Sequence, residues 1–501
     1  MGNSGGKLHP VAGLHLDRRL PYGCECDRSL GDVQNLSIRM VVDGVDGAWS
    51  VAPLVAVVRL GPQPRLHAVV HRLIMHAMPR GYPRYVLAVM VGINFLNYLD
   101  RYILPAVATK IQAEFHLTDG QVGLLGSAFL LVYAVATIPF GIWADRGVRK
   151  TVIGVGVTIW SLATLFTGLA RSYAQLFAAR AVMGIGEASY YPAGTALLGD
   201  YFRKEGRGRA MSIWASGTAV GIAVGFAGGG IVASILGWRA AFYLTAVPGL
   251  VFAALAFGLR EPLRGAAEAR GPQVGTAASI TWRTFVELLR IPTLRATIAA
   301  ETALFFVLGG AAFWLPTYLQ RRFALGTGTA GTLAGGVLVV GLLAGSLLGG
   351  TIADRLAIRR RSASNLAVGI AGFILGAVFV ALALLMPSLA LFVPMFLPGA
   401  ACLYLYNGPY TAVKQNIVLP TVRATAVTLA LLIEHLLGDS YAPFAIGKLS
   451  DALHNLQLAL LILLPPLLIL AAVFAALGLR HEEKDSRAME TRWAAAATQI
   501  P

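Results

Sequence analysis

Stretches of about twenty predominantly apolar residues recur along this chain from Tyr85 to Leu479. Each is as long as a helix must be to cross the hydrocarbon core of a bilayer. Composition agrees with that constraint. Of 501 residues, 56% are hydrophobic and 13% are charged, against roughly 25% charged in soluble domains. So few charges leave too little polar surface to cover a soluble fold of this size. The expected fold is an all-α integral membrane protein of twelve transmembrane helices.

The spans fall at roughly 84–111, 120–143, 151–170, 174–199, 209–235, 238–259, 294–320, 328–353, 364–386, 389–413, 423–449 and 456–479. A polar segment divides six spans from six. The resulting organisation is an N-terminal six-helix bundle over 81–260, a linker over 261–292, a C-terminal six-helix bundle over 293–480 and a tail over 481–501. Residues 1–80 stand apart. They are rich in Arg, His, Gly and Pro, and their one apolar run, "AWSVAPLVAVVRL", is too short to span. They read as a disordered extension, or as sequence ahead of a later start at Met75 or Met78, just before the basic flank of Arg80 and Arg84. A targeting or amphipathic role is a third reading.

A net charge of +16 raises the question of nucleic acid. The basic residues instead concentrate between apolar segments. The loops after the second, fourth and eighth spans carry Arg146, Arg149 and Lys150; Arg203, Lys204, Arg207 and Arg209; and Arg355, Arg359, Arg360 and Arg361. The opposite loops hold only Lys110, Arg171, Arg239, Arg321 and Arg322. The positive-inside rule places the first set in the cytoplasm, together with both termini and the linker, which carries Arg264 and Arg270. The expected location is the cytoplasmic (inner) cell membrane, as a multi-pass monomer with the bilayer as partner and no nucleic acid. Cys24, Cys26 and Cys402 imply no disulfide framework, and a Cys-x-Cys without a second pair is weak evidence for metal. No metal or cofactor is expected.

The two halves echo each other. "EFHLTDGQVG" before the second span answers to "RFALGTGTAG" before the eighth, matching Phe115, Leu117 and Gly123 with Phe323, Leu325 and Gly331. "GIWADRGVRK" (Gly141 to Lys150) answers to "GTIADRLAIR" (Gly350 to Arg359), with Asp145 and Arg146 opposite Asp354 and Arg355. Two matches in one register indicate duplication. A rocking transporter requires such halves, with the substrate at the midplane between them.

A charged side chain at the centre of a membrane helix costs at least about 2.5–3.5 kcal/mol, so each is a functional candidate. Asp100 and Arg101 lie deep in the first span. Arg180 and Glu187, seven residues apart in the fourth, share a face about 10 Å apart. Asp100 is expected to meet this stripe in the N-terminal half. A carboxylate whose hydration or arginine partner changes with conformation changes its hold on a proton, so Asp100 and Glu187 are candidate proton carriers; the alternative is a permanent ion pair that only fixes packing. Arg101 and Arg180 are candidate anchors for an anionic group, since guanidinium pairs with phosphate or carboxylate in bidentate fashion. Glu301 and Glu434 are further substrate-contact candidates, with Glu301 alternatively a helix-end residue facing the cytoplasm. His435 and Asp439, four residues apart, share a face and form a candidate proton relay; a hydrogen bond to another helix is the plain alternative. Gly141, Asp145, Arg146, Arg149, Lys150, Asp354 and Arg355 read as a conformational latch at the cytoplasmic helix ends, or as charges that only set topology. Gly217, Gly221 and Gly225, and likewise Gly341, Gly345 and Gly349, repeat every fourth residue, which allows close helix approach, static or sliding.

These residues carry a family resemblance. "GIWADRGVRK" and "RAVMGIGEA" resemble the loop and fourth-helix motifs of the major facilitator superfamily. "NYLDRYIL", "GIGEASYYPAG", "LREPLRG", "AFWLPTYLQR" and "RATAVTLALLIEHLLGDSYAPFAIGKLSD" resemble its spinster group over about Tyr85 to Leu479. With the buried charges this points to a secondary transporter working by alternating access, proton-coupled or gradient-driven, and the resemblance implies an amphipathic, lipid-like substrate such as a lysophospholipid or sphingoid phosphate. It also implies functional roles near Glu434, His435 and Asp439. "NYLDR" and "GEA" occur in organic anion/proton symporters too, so a symporter of small organic anions is the second reading. A membrane enzyme or a non-transporting sensor is the third. The chain has no G-x-x-x-x-G-K-[ST] phosphate loop, no H-E-x-x-H and no G-x-S-x-G, so ATP-driven transport and enzyme chemistry are not expected.

Overall fold

The computed structural model describes residues 81–262, 282–359, 364–419 and 422–497. The readings made on residues 1–80, on Arg264 and Arg270, and on Arg360 and Arg361 lie outside these. Lipid offers a peptide group no hydrogen-bond partner, so backbone inside it closes its bonds within helices. Among the described residues, ten helical segments are long and apolar enough to cross a membrane. The first span, Tyr82–Phe115, and the fourth, divided into Tyr173–Ala188 and Tyr190–Tyr201, complete twelve.

The N-terminal half continues with Asp119–Arg146, Arg149–Leu169, Lys204–Leu236 and Trp238–Gly258 as its second, third, fifth and sixth spans. The C-terminal half runs Pro292–Phe323, Thr327–Arg359, Ser364–Leu385, then a tenth span divided into Leu389–Leu403 and Asn407–Asn416. The eleventh passes from Arg423–Glu434 through a π-helical turn, His435–Asp439, into Ala442–Leu453; the twelfth is Leu456–Ala497. Beyond shifts of a few residues at the helix ends, three features differ from the sequence reading. The linker contains a short helix, Trp282–Leu289; the twelfth helix continues for 42 residues through most of the expected tail; and the tenth span reaches Asn416. The duplication is written in the backbone as well. His116 (φ 51°) and Ala324 (φ 53°) both end their helices in the left-handed conformation, directly after the matched pair Phe115 and Phe323.

Proline explains where the divided spans break. Pro192, Pro409 and Pro443 have no N–H to give the carbonyls of Ala188, Leu405 and Asp439, four residues earlier. The fourth span breaks at Ser189, the tenth at Tyr404–Tyr406, and the π-turn of the eleventh ends at Asp439. The two carboxylates Glu187 and Asp439 therefore stand beside backbone irregularities.

Both glycine stripes lie inside a half. Gly217, Gly221 and Gly225 of the fifth span bring it against the Val91, Phe95 and Leu99 carbonyls of the first. Gly341, Gly345 and Gly349 bring the eighth against Ala400, Ala401 and Leu405 of the tenth. Both are closely packed surfaces within one half.

Among the described residues the main-chain contacts at the glycines join the halves at one end. Gly123 of the second span abuts Pro443 of the eleventh, and its duplicate Gly331 of the eighth abuts Phe226 of the fifth. Gly447 lies against Asp119, and Gly230 against Thr327. We call this the Asp119 end. Toward the opposite, Arg146 end, the second span exposes Leu131, Val135, Ile138 and Ile142, the fifth exposes Ile213, Val220 and Val224, and the eighth exposes Leu343 and Leu347.

Gly345→Val tests the close packing of the stripes. A Cβ there lies 2.1 Å from the Ala401 carbonyl oxygen, an overlap that costs about 1–3 kcal/mol or more. The expected outcome is a lower melting temperature in detergent, whereas Gly336→Ala, with nothing within 4 Å of its added Cβ, leaves it unchanged.

Candidate functional site

Four of the charged residues singled out in the sequence converge inside the N-terminal half. Asp100 (1% exposed), Arg180 (2%) and Glu187 (1%) are enclosed, and Arg101 lies beside them. The partners differ from a simple Asp100–Arg180 pairing. Arg101 donates from Nη2 to Glu187 Oε2 at 2.8 Å, and from Nε to the same oxygen at 3.3 Å. Its guanidinium lies over the rings of Tyr98, Phe129 and Tyr133 at 5.2, 5.1 and 4.9 Å, a cage that adds cation–π attraction to the ion pair. Arg180 shares the Phe129 ring at 4.9 Å and donates to Met183 Sδ at 2.9 Å. Asp100 accepts from Thr164 Oγ1 at 3.4 Å, and its Oδ1 has no hydrogen-bond partner among the described residues. The cluster balances two acids against two arginines with two carboxylate oxygens, Asp100 Oδ1 and Glu187 Oε1, and one arginine nitrogen, Nε of Arg180, left unpartnered among the described residues.

Across the gap, the π-turn of the eleventh span sets His435 Nδ1 2.8 Å from Asp439 Oδ2. The His435 ring meets Phe305 edge-on at 5.2 Å and Tyr133 edge-on at 6.3 Å. Tyr133 therefore touches the arginine cage of one half and the histidine–aspartate pair of the other.

Glu301 and Glu434 are placed differently from the expectation of substrate contact. Both are enclosed in the C-terminal half, at 2% and 0% exposure, and both face Lys414. Lys414 Nζ lies 2.9 Å from Glu301 Oε1 and 3.3 Å from Glu434 Oε1. In this conformation neither acid reaches the gap. Lys414 was missed because the apolar run was ended at 413; its signal was a lone lysine in "YTAVKQN", two residues before the helix end.

At the Arg146 end, Gly141 has nothing packed over it, and Asp145, Arg146, Asp354 and Arg355 are exposed. Arg149 and Lys150 are held within their own half. Arg149 pairs with Asp200, and the backbone N–H groups of Arg149 and Lys150 both donate to Glu261 at 3.0 Å, a carboxylate at a helix N-terminus where the dipole favours it. Asp200 and Glu261 were not among the expected residues.

The Asp119 end carries an ionic lock that the loop-charge count passed over. Arg321 of the seventh span grips Asp119 of the second through two bonds, of 2.8 and 2.6 Å. Ser450 and Gln112 also donate to Asp119, at 2.6 and 2.7 Å. Asp451 of the eleventh span accepts from the backbone N–H groups of Asp119 and Gly120, at 2.8 and 2.9 Å, and so caps the second span from the other half. Arg321→Gln, which removes the bidentate grip, is expected to loosen this end. Spin labels at the exposed positions 118 and 454 should show a longer and broader distance distribution in the variant, by double electron–electron resonance; an unchanged distribution assigns closure to the glycine contacts alone.

The family model described as the Major Facilitator Superfamily matches residues 90–443. The chain is 32% identical over 392 residues to protein spinster homolog 1 of Homo sapiens, covering 74% of this chain and 73% of that protein. It is 31% identical over 396 residues to the same protein of Mus musculus, covering 75% of each. Two solved structures of a bacterial homologue of the human lysosomal transporter Spinster share the fold with a TM-score of 0.69. One, described as inward-facing and occupied, is 26% identical and covers 82% of this chain and 98% of its own. The other, described as inward-facing and unoccupied, is 27% identical and covers 83% and 99%.

Proposed function

We propose a drive mechanism for a chain that belongs to the major facilitator superfamily and is spinster-like within it, a multi-pass membrane transporter and not an enzyme. The transporter moves an amphipathic, lipid-like substrate by alternating access, and protons drive it. The observation that carries this reading is the Arg101–Glu187 pair, buried beside Asp100 and Arg180 and joined through Tyr133 to His435 and Asp439 of the other half.

A carboxylate that loses its arginine in a water-poor site takes up a proton, and one that regains the arginine releases it. Arg101 is the exchangeable partner because its bidentate fork is also the group that suits a phosphate or carboxylate on the substrate. When a substrate head group draws Arg101 away from Glu187, the freed acid and neighbouring Asp100 become the proton acceptors. His435 and Asp439 carry the proton across the gap, handing it between imidazole and carboxylate over their 2.8 Å contact. Coupling then needs no moving wire, only one arginine with two anionic partners.

The conformation supports the direction of opening. The Asp119 end is locked, and the Arg146 end, cytoplasmic by its excess of basic residues, is apart. The solved relatives are described as inward-facing. On the opposite swing, Asp145, Arg146, Asp354 and Arg355 act as the latch, closing over helix ends that Glu261 and Asp200 hold in place. The exposed Val135, Ile138, Val220, Val224, Leu343 and Leu347 offer acyl chains an apolar wall running from the charged cluster toward the open end. A small-organic-anion symporter calls for polar contacts from both halves, and the enclosure of Glu301, Glu434 and Lys414 favours the lipid-like reading.

The test is uptake into proteoliposomes under an imposed pH gradient, with lysolipids, sphingoid phosphates and organic acids as candidates. Asp100→Asn and Glu187→Gln are each expected to lose gradient-driven transport by at least about tenfold, the effect of roughly 1.4 kcal/mol, with melting temperature and reconstitution efficiency retained. Full coupled transport in both variants sinks the proton assignment, and uptake of organic acids alone transfers the protein to the symporter reading.

A further inference from the structure

Two acids and one base are sealed inside the C-terminal half. Lys414, Glu301 and Glu434 are 3%, 2% and 0% exposed, and no other charged side chain enters their salt bridges among the described residues. If both carboxylates were ionised, the group would carry one uncompensated negative charge, which a low-dielectric interior does not hold. Geometry gives the resolution. Lys414 Nζ bridges the two carboxyl groups, 2.9 Å from Glu301 Oε1 and 3.3 Å from Glu434 Oε1, and one ammonium balances only one of them, so the other holds a proton. Glu434 Oε2 has no hydrogen-bond partner among the described residues.

We propose that Glu301, Glu434 and Lys414 form a proton-binding site in which the two acids share one proton against the ammonium, distinct from the Asp100–Glu187 cluster. The other titratable groups around it do not supply the missing positive charge. Tyr406 and Tyr410 of the tenth span lie in electrostatic reach of Glu301, with Tyr406 also near Glu434 and Asp439, and Tyr410 near Glu482 of the twelfth. His435 is the next residue along the eleventh span but is engaged with Asp439.

The site is positioned to exchange its proton with the cytoplasmic face. Lys414 stands two residues before the end of its helix, and Glu301 nine residues after Pro292, about 14 Å along the axis. Both helix ends belong to the Arg146 end. As a part of the transport cycle this site rests on the proton-driven reading above; as a bound proton it stands by itself. In the cycle it gives the C-terminal half a proton of its own, released or taken up when the seventh and eleventh spans shift relative to the tenth.

The measurement is infrared spectroscopy of the full-length protein in lipid nanodiscs, titrated in water and deuterium oxide. Wild type is expected to show a carboxylic acid C=O band, shifted in deuterium oxide, that persists at neutral pH. Glu434→Gln and Glu301→Gln each abolish it, because the remaining carboxylate pairs with Lys414 as a neutral unit. Lys414→Met about doubles its area, since two acids without their cation must hold two protons. Lys414→Arg, which keeps the charge, retains the band and serves where Lys414→Met fails to fold. In an Asp100→Asn, Glu187→Gln background the band difference due to Glu434 survives. A wild-type spectrum that loses no acid band in either glutamine variant overturns the site. Loss of gradient-driven transport in wild type with the band intact overturns the driving mechanism and leaves the site standing.

Discussion

Lipid does not hydrate charge, and the structure is arranged around that fact. Each acid enclosed in the membrane region has a base or a hydrogen-bond donor near it: Glu187 with Arg101, Asp100 with Thr164, Glu301 and Glu434 with Lys414, Asp439 with His435. All of these pairs are formed inside one half. Each six-helix bundle is therefore electrostatically self-sufficient and can move as a body without exposing a bare ion. The ion pair that crosses between the halves, Arg321 with Asp119, sits at the rim, with Arg321 partly exposed. Water there lowers what is lost when it opens.

The fold was legible because its driving force is crude. Apolar length alone gave the spans, and the matched Asp145–Arg146 and Asp354–Arg355 gave the duplication. The site was legible only in part. A count of buried charges selects residues and says nothing of partners, so Arg101, read as a substrate anchor, proves to be the cation of Glu187. Lys414 was lost to a boundary set by hydropathy, which counts a lysine against a span even when two glutamates await it. The rim lock escaped for the opposite reason. Arg321, Asp119 and Asp451 look like ordinary loop charges until the fold brings residues more than two hundred positions apart together.

The breaks were in the sequence, though not in its hydropathy. Pro192, Pro409 and Pro443 each deprive one carbonyl of its donor, and at two of these places a carboxylate, Glu187 or Asp439, stands at or within a residue of that carbonyl. A helix interrupted there no longer holds its side chains on a rigid cylinder. In the proposed cycle the acids that exchange partners are carried on these interrupted parts of the backbone.

The seal between the halves has a different character from the charged cluster behind it. At Gly123, Gly331 and Gly447 one main chain lies on another, with no side chain reaching across from the glycine. At these three points there are no knobs to withdraw and no rotamers to change when the halves part, and the interlock lies instead in the side chains around them, such as Arg321 on Asp119. The main-chain contact is also chemically anonymous. Peptide against peptide excludes water by closeness alone and presents nothing by which one solute is told from another. In the proposed cycle discrimination is thereby removed from the door and concentrated in the room, where Arg101 has two kinds of anion to choose between.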